Sequence, residues 1–134
     1  MVHVGTARGK LGDKNKFTEI PQIMGKIQDP LEHIKPMMGI CSGGLTPQNY
    51  HYSIDLMGND IQLQNGGGIH GHPWGTKGGA IGARQAVEAY MKSIPVEEYA
   101  KTHEELAGAI QAWGNKYAVA SEESAVPELG EGGN

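Results

Sequence analysis

Three groups of residues in this chain could hold an anionic substrate. The first is "HVGTARGKLGD", in which Lys10 lies between Gly9 and Gly12, with His3, Thr6 and Arg8 before it. A lysine flanked by glycines can swing over a bound anion, although on its own it reads first as a solvated surface charge. His3 ends a short β-type run, either as a substrate contact or as a structural imidazole. The second group is "CSGGLTP", where Ser42 places a hydroxyl beside Gly43 and Gly44. The third is "IQLQNGGGIHGHPWG", where Gly66, Gly67 and Gly68 follow directly on a β-type run. One or two glycines satisfy a tight turn. A third implies that something bulky comes up against the backbone.

The last two stretches each follow a strand-like run and precede a helix-like one. Free N–H groups at such a junction, backed by the positive end of a helix dipole, form an anion site. Either loop alone is as compatible with an ordinary turn, and two such units in succession favour phosphate. In (β/α)8 barrels a phosphate commonly binds between the loops that follow the last two strands. Other candidates carry less. His70 and His72 in "HGH" lack a third ligand, and zinc needs three or four, so no metal site is assigned. Cys41 lies on an apolar strand with no base beside it and reads as a core thiol. No pair of carboxylates is placed for general acid–base work.

The elements that must position these residues alternate. "VHVG" (Val2 to Gly5), "MMGIC" (Met37 to Cys41) and "DIQLQ" (Asp60 to Gln64) read as strands. Between the first two, Ile20, Ile23, Met24, Ile27, Leu31 and Ile34 recur at helical spacing, and Pro21 and Pro30 predict short helices only. Pro47 suits the first turn of a helix running through Tyr52, Ile54 and Met57. Thr76 to Met91 is the clearest helix. "PVEEYAKTHEELAGAIQAW" predicts two helical pieces, the second opened by a capping box of Thr102 and Glu105. Strands separated by helices imply parallel pairing and an α/β fold. Three strands alone make a poor parallel sheet, which needs cover on both faces.

Composition sets the outer bounds. The 134 residues, net charge of -4 and absence of a Lys/Arg run argue against nucleic acid as a partner. No apolar stretch approaches the roughly 20 residues of a membrane span. The single cysteine excludes an internal disulfide and fits a reducing, cytoplasmic setting. The 21 glycines are far above the average of about 7% and point to functional loops.

"HVGTARGKL", "CSGGLTP" and "LQNGGGIHGHPWG", in that order, resemble three signatures from the carboxy-terminal half of the ribulose-bisphosphate carboxylase/oxygenase (RuBisCO) large subunit. "IPVEEYAKTHEELAGAIQAWG" is most similar to the archaeal branch, often called form III, and the resemblance extends from Val2 to about Gly114. It implies that residues 1–115 supply strands six, seven and eight of a (β/α)8 TIM barrel with their helices, the rest coming from another chain. Residues 116–134 then form an acidic, flexible Gly/Ser-rich tail. Lys10 matches the lysine of the mobile sixth loop, which holds CO2 and the carboxylate it becomes. His3 matches a histidine on one substrate phosphate. Ser42 matches a serine on the sugar backbone, with Gly43 and Gly44 beside it at the second phosphate. Gly66 and Gly67 match the two backbone donors that complete that phosphate site.

The implied reaction is carboxylation of ribulose 1,5-bisphosphate to 3-phosphoglycerate. Its Mg2+, with a carbamylated lysine among the ligands, would lie on a complementing amino-terminal chain, in a homo- or hetero-oligomer that is active only when complete. Gly12 departs from the acidic residue usual after "GKL", and the link from Lys10 to Ser42 is shorter than is typical. Two other readings stay open: a RuBisCO-like enolase or isomerase acting on another sugar phosphate, and a non-catalytic phosphate-binding or assembly module.

Overall fold

The computed structural model describes residues 1–7, 16–30 and 32–122. Lys10, Arg8 and Gly12 therefore lie outside the described residues, as do residues 123–134 of the expected tail. Strand β1 (Val2–Gly5) is followed by helix α1 (Lys16–Gln28) and strand β2 (Gly39–Ser42). A 3-10 turn at Pro47–Asn49 leads into α2 (Tyr50–Met57), then β3 (Ile61–Gln64), the short α3 (Gly66–His70) and the long α4 (Gly75–Met91). Helices α5 (Val96–Ala100) and α6 (Glu104–Glu122) close the order.

The strands form one parallel sheet in the order β1-β2-β3. Its register pairs His3 with Ile40 and Ile40 with Gln62, then Cys41 with Leu63 and Ser42 with Gln64. Side chains alternate across a strand, so the pairing sorts residues into two faces. One carries Val4, Cys41 and Leu63 into a core shared with Ile20, Met24, Ile54 and Ala86 from the helices. The other carries His3, Ile40, Ser42, Gln62 and Gln64, none of them buried. One face of the sheet is thus covered by helices, and the other is polar and open.

The expected strands and the βα alternation are present, and two local expectations are corrected. Pro21 does not cut the first helix short. It sits inside α1, where it forfeits one backbone bond, while Ile20 and Met24, 3% and 4% exposed, pin the helix to the sheet. The helix stops at Gln28, two residues before Pro30, as the constraint on the residue before proline requires. Thr102 does not cap α6 with Glu105. Its hydroxyl donates to the Tyr99 carbonyl, and the free Leu106 N–H at the start of α6 is taken by the Gln85 side chain at 2.9 Å. The other end of that amide donates to Glu105 at 2.8 Å.

Two glycines of α4 pack helices rather than shape loops. A Cβ on Gly79 would run into the backbone of Ile69, and one on Gly82 would stand 3.0 Å from the Glu105 carbonyl. Helix α4 can therefore lie against α3 and α6 at backbone contact.

Candidate functional site

The two glycine loops leave adjacent strands at the same end of the sheet, because Ser42 is paired with Gln64. They also touch: a Cβ built on Gly68 would come within 2.7 Å of the Leu45 carbonyl oxygen. His3 joins them from β1, its Nδ1 lying 2.8 Å from Ser42 Oγ. Thr6 adds a second tie, donating from its hydroxyl to the Gly43 carbonyl at 3.0 Å. The sequence thus brings His3, Ser42, Gly43 and Gly44 together across 39 residues. Gly43 and Gly44 have φ values of 103° and 70°, a left-handed region that side chains with a Cβ rarely enter.

The third loop shows what each of its glycines does. Gly66 and Gly67 are exposed, and a Cβ on either would meet nothing within 4 Å. They open α3, where the first amides have no partner within the helix. Gly68 is buried, and its N–H is taken by Asn65 Oδ1 at 3.1 Å. Two glycines of the run therefore have open space where a side chain would stand. The third makes room for the protein itself.

Asn65 and Tyr50 have no counterpart among the residues picked out by type and spacing. The available signal was the position of Asn65 immediately before a helix, where asparagine is a favoured cap. Asn65 Nδ2 donates in turn to the Tyr50 hydroxyl. Burial pushes the Tyr50 phenol well above its ordinary range, so it serves this contact as a neutral hydroxyl. Cys41 is fully buried, and desolvation raises its thiol above the ordinary value, with Ser53 pulling partly the other way.

The two histidines of "HGH" are engaged elsewhere. His72 is buried, accepts at Nδ1 from the Trp74 N–H at 3.1 Å and donates from Nε2 to the Glu105 carbonyl at 2.8 Å. His70 pairs with the Thr76 hydroxyl at 3.1 Å. Among the described residues no group of three or more His, Cys, Asp or Glu converges. None of the described residues therefore fits a magnesium site. A groove of about 660 Å³ lies in the helical layer between α2 and the end of α4, away from the glycine loops. Its Asp55 is already engaged by the Tyr90 hydroxyl at 2.9 Å.

Fold and loops together define a parallel α/β segment that presents glycine-rich turns at the carboxyl ends of its strands. Residues 2–113 match the model of the ribulose bisphosphate carboxylase large chain, catalytic domain, and the chain belongs to that family. A ribulose bisphosphate carboxylase from Archaeoglobus fulgidus is 41% identical over 127 residues, covering 84% of this chain and 29% of the relative. The octameric Rubisco of Pyrococcus horikoshii, solved as a complex with sulfate ion, superposes with a TM-score of 0.78 at 36% identity. That match covers 87% of this chain and 27% of the other. A rubisco-like protein from Burkholderia fungorum gives a TM-score of 0.72 at 25% identity, over 81% of this chain and 27% of that one. The chain thus spans less than a third of the length of these relatives.

Proposed function

We propose that this chain contributes the bisphosphate-cradling loops and the mobile lysine of a ribulose 1,5-bisphosphate carboxylase whose remaining parts lie on a complementing polypeptide. The observation that carries this reading is the His3–Ser42 contact at the open end of the sheet, flanked by two glycine loops. A phosphate has oxygens enough to accept from several donors at once. The Gly66 and Gly67 N–H groups would donate to one phosphate, the His3 ring would contact the other, and the Ser42 hydroxyl would reach the sugar backbone.

Held at fixed donors, the substrate is oriented before any bond changes, which removes part of the entropic barrier to reaction. Lys10 would place its ammonium over the carboxylate formed when CO2 adds, a charge that develops during the reaction. The magnesium and its carbamylated lysine would come with the complementing chain. So would cover for the open face, since parallel sheets are buried on both sides. The family's octameric member makes a larger assembly the natural setting.

The test is native mass spectrometry on protein from its source, followed by incorporation of labelled bicarbonate into acid-stable product. A complex of the 14.3 kDa chain with a larger one, fixing CO2 only with ribulose 1,5-bisphosphate, is expected. Lys10→Ala should abolish fixation while bisphosphate binding is largely kept. Equal loss of both would remove the assigned role of Lys10. The likeness to a rubisco-like protein favours one second reading, an enolase or isomerase on another sugar phosphate. Turnover indifferent to CO2 would establish it. Association with no gain of activity would mark a binding or assembly module.

A further inference from the structure

We propose that Tyr50 and Asn65 form the positioning device of the third glycine loop, deciding which of its amides face an anion. Asn65 is 6% exposed and Tyr50 3%. Asn65 directly precedes Gly66, and its Oδ1 accepts from the Gly68 N–H. A backbone N–H can only donate, so the carbonyl end of the amide must face Gly68. The amide end then faces the Tyr50 hydroxyl, to which it donates.

Tyr50 is the first residue of α2, so it belongs to the preceding βα unit. Leu45, from that same unit, closes on Gly68 from another direction. The loop is clasped from inside by one side chain and from outside by a neighbouring backbone. Both contacts fall on Gly68, and none falls on Gly66 or Gly67. Of the three amides, the clasp uses up the third and leaves the first two turned outward. Without the phenol, Asn65 would be left with a buried, unpaired Nδ2, a state costly enough to turn the side chain away. The Gly68 amide would then be released and the loop would lose its fixed geometry.

This inference rests on reading Gly66 and Gly67 as anion donors, and the experiment separates the two. In the full chain, amide shifts and hydrogen exchange of Gly66, Gly67 and Gly68 are followed while inorganic phosphate is added. In the parent chain phosphate should shift Gly66 and Gly67 and leave Gly68 nearly unmoved. Tyr50→Phe should raise Gly68 exchange and the phosphate Kd by about five- to tenfold, roughly one hydrogen bond's worth. Exchange within α4 should stay at the parent rate.

Asn65→Asp keeps an oxygen for Gly68 and offers the phenol an acceptor, so Gly68 should remain protected. This second variant also decides the matter if Tyr50→Phe proves unfolded. Tyr50→Phe with Gly68 exchange and phosphate Kd within twofold of the parent would overturn the positioning role. Loss of Gly68 protection in a folded Asn65→Asp would do the same. Phosphate that shifts no loop amide in the parent chain would overturn the anion reading and the role built on it, whatever the exchange rates show.

Discussion

Gly67 and Gly68 are neighbours of the same type, and the structure assigns them opposite responses to the same added methyl. On Gly68 a Cβ would stand 2.7 Å from the Leu45 carbonyl oxygen, 0.7 Å inside the 3.4 Å at which ordinary contact begins, and would crowd Asn65 Oδ1 more closely still. Neither neighbour can retreat cheaply. Leu45 is 3% exposed, and Asn65 is bonded at both ends of its amide. Overpacking of this kind costs about 1–3 kcal/mol. Displacing Asn65 adds roughly 1 kcal/mol for each bond lost. Replacing a helical glycine returns only about 0.5–1 kcal/mol.

The net expectation for Gly68→Ala is a loss of about 2–3 kcal/mol, a fall in Tm of roughly 8–15 °C for a chain of this size. Gly67→Ala meets nothing within 4 Å, so only the helical gain of about 0.5–1 kcal/mol remains. Its methyl does stand where an anion would approach, so phosphate should bind more weakly to a slightly more stable chain. Thermal unfolding followed by circular dichroism, with phosphate titration on the same samples, reads both quantities. Gly67→Ala destabilising as much as Gly68→Ala would refute the division of labour within the glycine run.

Three further outcomes are expected. Ser93 has φ 56° just beyond α4, its N–H bonded to the Tyr90 carbonyl and the Ile94 N–H to that of Ala89, both at 2.9 Å. That is the helix-ending motif in which glycine is favoured, so Ser93→Gly should raise stability by up to about 1 kcal/mol, and a fall in Tm would count against it. His72→Phe removes the buried imidazole that bonds the Trp74 N–H and the Glu105 carbonyl and should cost about 1–3 kcal/mol by urea denaturation; no loss would mean that the imidazole bonds add nothing. Burial holds Cys41 and Tyr50 protonated above their ordinary values of 9.0 and 10.0. The unfolded chain ionises there first, so stability should be full below about pH 9 and decline as pH rises beyond it. A urea midpoint unchanged up to pH 11 would contradict that sign.

The βα alternation, the strand ends and the glycine loops were legible in the sequence because their signals are local. Glycine and proline restrict the backbone at their own positions, and a strand that runs into "SGG" or "NGGG" must turn there whatever surrounds it. Those same signals misread α1. The one backbone bond lost at Pro21 is a local quantity, whereas the burial of Ile20 and Met24 that outweighs it depends on the sheet beneath.

What the tertiary structure alone decided concerns partners far apart in the chain. Thr102 and Glu105 carry the pattern of a cap, yet Gln85, from another helix, reaches the Leu106 N–H instead. His3 and Ser42 meet only because parallel pairing sets two strand ends side by side. Glycine is the clearest case, since its type records that a Cβ is unwanted and not what takes the space. Gly66 and Gly67 have open space beside them, Gly68 has Leu45 and Asn65, and Gly79 and Gly82 have neighbouring helices. Those identities differ only in what stands within 4 Å, and that distance exists only once the chain has folded.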